Sequence, residues 1–593
     1  MKKAIEIIIM TISHIKNILG RLVLIYLVPC VIICSVTLSY VSQNTQVRII
    51  GDEFGYWTAA AWINHWDWTT VASYNGYFSW GYGVVLSLLA RFITNMSRSY
   101  QLALVLNSVF LCLTYILIFK VSGYFCSQKQ VLLRVILSLA TIMYGGNLFY
   151  SQFTMAETPL LLLFWLSVFL LCKVCTKYSR LIAAVYCLTL VYMYYVHMRT
   201  LGILIVGLLF LFYHLLIHLR NRQEALLCSI VAILALLLGH YVKYNYKLYL
   251  QSNPEAPFFA VADYEGLSEH LVKPSEIVTA VPIGFVGKLY YLIVSSLGLG
   301  MIAISSIYDQ IIKADKQKMD NKNYVILYVL CSILITIFIT CIFQSNYDTR
   351  YDLLVYGRYY DFIISSFVLI GFAGLINNKK FHLKTSLLVL LLASLITNYF
   401  IPKSIGHGPI HFNSPGLQYV LELVNYNLFI AGCICAGLLV IIYFAFYLPI
   451  KTEKLVVVFA VLFAIYQITS YKWDYERKVL TPGSIESMNK EIELADYIKS
   501  HVENRNIYFY RPEDNTKSME HLQFQLGNVA LNCTSDVNRL RGLSADDYLV
   551  TPQNYNLNEE IGEILPFEYE SICESKRNSL WQPIATDSAH KQE

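Results

Sequence analysis

Charge is scarce in this sequence. Lys, Arg, Asp and Glu make up 14% of its 593 residues, 56% are hydrophobic, and the mean hydropathy is +0.50. A soluble domain carries about a quarter of its residues charged, so the composition excludes that class and selects a membrane protein. The net charge of +5 is accounted for by short basic loops and gives no argument for nucleic acid. Ionisable residues are scarcest in the middles of the long apolar runs. A proton- or ion-coupled transporter is expected to carry such groups near the bilayer midplane, on interrupted helices, and neither feature is visible. No small-residue cleavage site follows the first apolar run, RLVLIYLVPCVIICSVTLSY at 21–40, which reads as a retained anchor rather than a removed signal peptide. Paired metal-binding cysteines are missing as well. Cys172 and Cys175 form a lone CxxC without a second pair or nearby histidines, which packing explains better than zinc. Twelve of the fourteen cysteines lie in or beside apolar runs; only Cys533 and Cys573 lie in the C-terminal tail, where a disulfide between them is left open.

Apolar runs dominate what is there. They recur almost from end to end, and about 20 residues suffice for a helix to cross a hydrocarbon core of about 30 Å. About thirteen spans are expected, the last being EKLVVVFAVLFAIYQITS at 453–470. Basic residues mark alternate loops as cytoplasmic: Lys2, Lys3, Lys16 and Arg21 before the first span, then Lys173, Lys177 and Arg180, then Arg220 and Arg222. Lys313, Lys316 and Lys318, then Lys379, Lys380 and Lys384, then Lys451 and Lys454 continue the same parity. The N-terminus is therefore expected inside, and the segment after the first span outside.

That first external segment, 41–100, is aromatic and moderately apolar. WTAAAWINHW and WGYGVVLSLLARF are expected to form two short helices at the outer interface, with tryptophans as headgroup anchors. Further external loops fall at 145–160, 244–276, 344–361 and 400–419, the second of these long enough to fold over a site. In the last, His407 and His411 are four apart, but Gly408 and Pro409 argue against the helix that would bring them together on zinc. After Ser470 the composition becomes that of a soluble domain, with helical SIESMNKEIELADYIKSHV, strand-like NIYFY, helical MEHLQFQL and the short apolar runs VALNC and DYLVT. The expected fold is an all-α polytopic membrane domain over 1–470, with external interfacial helices, followed by a small extracytoplasmic α/β domain over 471–593.

The charges that remain cluster at external helix ends: Asp52, Glu53, Glu157, His197, Arg199, Lys288, Arg350, Arg358 and Asp361. Such a pattern suits a site at the outer interface, where a lipid-borne substrate presents its head group. A single acid would cap the helix that Asp52 opens; a second beside it adds repulsion and calls for another reason.

This layout, from about residue 20 to 470, resembles the GT-C superfamily of membrane glycosyltransferases, which take sugar from a polyprenyl phosphate. Protein O-mannosyltransferases and bacterial aminoarabinose transferases of lipid A belong to it. The matching residues are Asp52 and Glu53, Glu157 in AETPL, His197 and Arg199 in VHMR, and YGRYYD at 356–361. The resemblance implies transfer of a sugar from a polyprenyl-phosphate donor to a cell-envelope glycan, lipid or protein, with inversion, at the external face of a bacterial plasma membrane. Asp52 would be the general base, with Glu53 a second acid. Glu157 would orient the acceptor or, with Asp52, hold Mg²⁺ or Mn²⁺. Arg358, Arg350, Arg199 and Lys288 would bind the donor phosphate, arginine being matched to it by its fork of donors. His197 reads as an interface residue. Thirteen spans with an external C-terminal domain also resemble the aminoarabinose transferases in plan, but the sequence of the tail gives no match, so the acceptor is not carried over. Two other readings stay open: a polysaccharide polymerase or ligase, kept by the arginines of the 344–361 loop, and a non-enzymatic transporter or flippase of lipid-linked sugar.

Overall fold

The computed structural model describes residues 20–49, 51–74, 79–127, 129–252, 274–313, 321–344, 350–377, 381–401, 410–502, 505–511 and 517–584. Residues 253–273 of the long third loop, His407, and the loop lysines 2, 3, 16, 316, 318, 379 and 380 lie outside them.

Every long apolar run is helical, because in hydrocarbon only a helix satisfies its own backbone. Among the described residues ten helices are long and apolar enough to cross a membrane, from Gly20–Gln43 to Thr452–Val479. Three of the expected spans, at Val131–Ile142, Arg180–Val196 and Asp361–Asn377, are shorter apolar helices. The fourth short one, Gly81–Phe92, belongs to the first loop, where a short helix is expected. After Val278–Ser295 the chain turns sharply at Leu297 and Gly298 (φ 52° and 84°) into Leu299–Lys313, which packs along Asp361–Asn377. Leu226, Ile230, Ile233, Leu234, Leu237 and Leu238 form an exposed apolar stripe on Arg222–Leu250, as a helix solvated by lipid requires.

The aromatic first loop departs from expectation. Its helices Asp52–Ile63 and Gly81–Phe92 pack on each other, but Trp57 and Trp68 are 1% and 0% exposed. Neither is a headgroup anchor, because each indole N–H has a protein acceptor. Trp57 Nε1 donates to Thr154 Oγ1 at 2.9 Å, and Trp68 Nε1 to the Gly527 carbonyl at 2.6 Å. Phe54 stacks on Trp68 at 5.2 Å, and Phe524 meets Trp57 edge-on at 5.3 Å. Gly527 and Phe524 belong to the C-terminal domain, so these rings are the seam on which that domain sits.

The last long helix does not stop at 470: Thr452–Asp474 continues through Tyr475–Val479. The helix Pro482–His501 follows, its start capped by Thr481, whose hydroxyl accepts from Ser484 N at 3.3 Å. A five-stranded sheet comes next, with β1 Ile507–Tyr510, β2 Asn532–Thr534, β3 Tyr548–Pro552, β4 Tyr569–Glu574 and β5 Asn578–Pro583. Its order is β2-β1-β3-β5-β4, with β1 parallel to both neighbours and β5 antiparallel to both of its own. The helix Lys517–Leu526 packs against Asp52–Ile63. Cys533 and Cys573 are both free thiols, as are Cys172 and Cys175. Among the described residues no group of three His, Cys, Asp or Glu is placed to hold a metal.

Candidate active site

Four pieces of chain, distant in sequence, deliver four charged side chains to one place. The first arrives through Gly51, whose φ of 86° only glycine adopts without strain. The chain enters Asp52–Ile63 from there, with Asp52 and Glu53 in its first turn, where the helix dipole favours carboxylates. The second is Glu157, in the first turn of Glu157–Thr176. The third is Arg199, on the short helical turn Met198–Thr200, whose entry is fixed by His197 Nδ1 accepting from Arg199 N at 3.2 Å.

The fourth is Arg358, in YGRYYD. Its loop is held on both sides: the N–H groups of Gly357 and Arg358 both donate to the Asn413 carbonyl at 2.9 Å. Tyr144 and Tyr291 donate to Asp361 at 2.8 and 2.9 Å. Gly357 has no room for a side chain, because a Cβ there would lie 2.1 Å from the Tyr291 ring.

Arg358 bridges the two acids. Its Nη1 lies 2.5 Å from Asp52 Oδ2 and its Nε 2.9 Å from Glu157 Oε1. Arg199 Nη2 reaches the same Glu157 oxygen at 3.0 Å. Burial alone would lower the Arg358 pKa, but Asp52 and Glu157 outweigh it and hold it well above its ordinary value. Two carboxylates thus meet two guanidiniums in a cluster of no net charge, the arrangement that makes buried ionised groups tolerable.

The acids differ in access: the Asp52 side chain is 30% exposed and that of Glu157 3%. The cluster is also incompletely satisfied. Arg199 Nε and Nη1 and Glu157 Oε2 are buried and make no hydrogen bond. Each such group costs about 1–3 kcal/mol, more when charged, unless a ligand or water meets it.

Three of the other candidate residues serve elsewhere. Glu53 turns away from Asp52 and is wholly buried. Its Oε1 accepts from the N–H groups of Arg48 and Ile49 at 2.7 and 2.8 Å. Its Oε2 accepts from Tyr100 OH, Thr154 N and Thr154 Oγ1 at 2.8, 2.7 and 2.8 Å. Burial pushes its pKa up and those donors pull against it, so Glu53 clamps the first loop to the 154 segment instead of facing substrate. Lys288, also wholly buried, donates to the Leu353 carbonyl at 3.1 Å. Arg350 forks onto Asp352 at 3.1 and 2.6 Å, and Asp352 in turn accepts from Asn413 Nδ2 at 2.6 Å. These two brace the loop that presents Arg358 and do not hydrogen-bond to the four-charge cluster. Burial, with Arg199 and Arg358 nearby, pushes the His197 pKa well below its ordinary value, so this ring is neutral.

Nothing in the sequence singles out Tyr56, which is buried and feels the field of all four charges; Tyr359, within YGRYYD, has its ring 4.9 Å from the Arg199 guanidinium. Met155 was invisible too; its sulfur lies 3.3 Å from Arg358 Nη2. A resident divalent ion does not fit here. The position between Asp52 and Glu157 is already taken by a cation, the Arg358 guanidinium, and no third carboxylate or imidazole completes a donor set among the described residues.

Neither a protein-family profile nor a curated protein sequence matches the chain. Solved structures do. A crystal structure of ArnT from Cupriavidus metallidurans bound to undecaprenyl phosphate is similar at a TM-score of 0.52 with 12% identity, over 94% of this chain and 98% of that one. The arabinosyltransferase EmbB from Mycobacterium smegmatis is similar at 0.42 and 12%, over 77% of this chain and 41% of that one. An oligosaccharyltransferase from Archaeoglobus fulgidus is similar at 0.41 and 10%, over 89% and 69%. At such identity the likeness speaks for the fold alone, and over 94% of its length, bundle and C-terminal domain alike, this chain has the fold of ArnT.

Proposed function

We propose that the protein is a membrane glycosyltransferase that moves a sugar from a polyprenyl-phosphate donor to a cell-envelope acceptor at the external face of a bacterial plasma membrane. The observation that carries this reading is the buried cluster in which one arginine bridges an accessible carboxylate and a buried one. The fold shared with ArnT supports it; that structure holds undecaprenyl phosphate.

The roles divide by exposure. Arg199, with two unbonded N–H groups, and Arg358 receive the donor phosphate, and Glu157 holds both guanidiniums in place from below. Asp52 is engaged by Arg358 at 2.5 Å while the pair stands. When phosphate arrives, the guanidinium is shared with it, and a second negative charge comes near Asp52. Asp52 is then released from the pair to accept a hydrogen bond from the acceptor hydroxyl and take its proton as that oxygen attacks. The acceptor oxygen then attacks the anomeric carbon from the face opposite the phosphate, the C–O bond to phosphate breaks, and the two arginines stabilise the departing anion. The reaction as proposed draws on no resident metal.

The decisive experiment is transfer from a purified polyprenyl-phosphate sugar by the protein in membranes. Asp52→Asn is expected to lower the rate by about 10²–10⁴-fold at unchanged protein level. Full activity in that variant would overturn the base assignment, and transport of the donor without release of its sugar would favour a flippase.

A further inference from the structure

Between the helical bundle and the C-terminal domain lies a cavity of about 100 Å³. It has room for a few waters at about 30 Å³ each, or for one tetrahedral oxyanion. Its polar lining comes from Arg48, Lys478, Ser484, His521 and Arg577, and no Asp or Glu lines it. Basic groups from separate stretches of chain wall it, with no carboxylate among the described residues of its lining.

Among the described residues neither Arg48 nor Arg577 forms an ion pair. Arg48 is held by neutral acceptors: Asn44 Oδ1 at 2.9 Å, the Val479 carbonyl at 2.9 Å and Ser484 Oγ at 3.0 Å. Those bonds hold its guanidinium against the cavity wall without cancelling its charge. The Arg577 guanidinium makes no hydrogen bond or salt bridge among the described residues. The acid nearest to it in effect, Glu491, is taken up by Ser575 Oγ at 2.9 Å and Asn578 Nδ2 at 2.7 Å. Lys478 does have a partner, Glu422 at 2.7 Å, so the surplus rests on the arginines.

Two short paths join the cavity to the cluster. Arg48 lies four residues before Asp52, a separation of at most about 14 Å along even a fully extended chain. Phe412, also in the lining, precedes Asn413, whose carbonyl holds the Arg358 N–H. An acceptor lodged in the cavity by one end therefore has Asp52 within reach of the other.

We propose that this cavity is an acceptor subsite for an anionic group of the phosphate class, gripped by the forks of Arg48 and Arg577, so that charge selects the acceptor and sets its hydroxyl toward Asp52. This rests on the glycosyltransferase reading, but the binding step involves no bond making or breaking and is measurable without turnover.

The test uses full-length protein in phosphatidylcholine nanodiscs. Calorimetric titration with inorganic phosphate and with short-chain phosphatidic acid is compared for the wild type and Arg577→Gln, with Arg577→Lys as the variant that keeps the charge. Saturable binding by the wild type is expected to weaken about tenfold or more in Arg577→Gln, the loss of one charge-assisted contact, and to persist in Arg577→Lys. Binding of inorganic phosphate shows that the group alone suffices; binding of phosphatidic acid only assigns the site to a lipid-borne group. Failure of the wild type to bind either probe, or equal binding by Arg577→Gln, overturns the proposal. A transfer assay separates the two readings. An unchanged acceptor KM in an active Arg577→Gln enzyme sinks the subsite and leaves the glycosyltransferase. Loss of phosphate binding in a protein that transfers no sugar keeps the subsite and removes the glycosyltransferase.

Discussion

Asp52 and Glu53 are neighbours in sequence and opposites in circumstance. Asp52 meets one arginine and the solvent; Glu53 meets five donors and no solvent at all. Glu53→Gln would turn an acceptor of five hydrogen bonds into a group with two N–H donors of its own, aimed at other donors. Loss of folded protein is expected, by about 2–4 kcal/mol, while the transfer rate per folded molecule changes little. Yield and thermal midpoint measured beside the specific rate check this; a normal yield with a lost rate would return Glu53 to the chemistry. The sequence could not separate the pair because the donors Tyr100 and Thr154 lie 47 and 101 residues away. Asp52, Glu157, Arg199 and Arg358 were readable for a simpler reason: each is a charge at a helix end in a chain that has few, and such charges are retained only where they are used or paired.

At the level of elements, the helix Pro482–His501 is tied to the β4–β5 hairpin by Glu491, which accepts from Ser575 and Asn578. Burial pushes its carboxyl from 4.5 to about 7, with those two bonds pulling the other way. The folded domain therefore keeps a proton that the unfolded chain gives up near pH 4.5. Between about pH 4.5 and 7 the native state binds more protons than the unfolded one, so stability falls as pH rises, by about 3 kcal/mol in all. Glu491→Gln is expected to match the wild type near pH 4 and to exceed it above pH 7, read as the unfolding midpoint of the C-terminal domain in the intact protein. Parallel pH profiles would remove Glu491 as the source. The elements themselves were unevenly legible. The spans announce themselves because hydrocarbon demands unbroken apolarity, and NIYFY and DYLVT because they are apolar strands buried in a sheet. β4 is mostly polar and half of it is exposed, and β5, though mostly buried, carries only Leu580 and Trp581 as large apolar residues, so neither YESICE nor NSLWQP reads as a strand before the hairpin closes.

For the whole molecule, the seating of the C-terminal domain on the bundle matters most, since the basic cavity lies at that junction and the helix that Asp52 opens packs against the domain. Trp68 contributes a buried ring stacked on Phe54 and an N–H bonded to the Gly527 carbonyl. Trp68→Ala should cost about 3–5 kcal/mol at this seam and make the domain sensitive to limited proteolysis while the membrane helices stay intact. Release of the domain at the wild-type rate would show that the seam is held elsewhere. The sequence misled here for a physical reason. A membrane interface and a buried protein seam both favour a ring with one polar edge, and the acceptor that decides between them lies 459 residues along the chain. With Trp57 and Trp68 both sealed in that seam, the protein also carries an intrinsic optical gauge. Indoles in a dry junction emit at shorter wavelength than indoles in water, so a red shift in fluorescence would register the lifting of the domain, without any label attached.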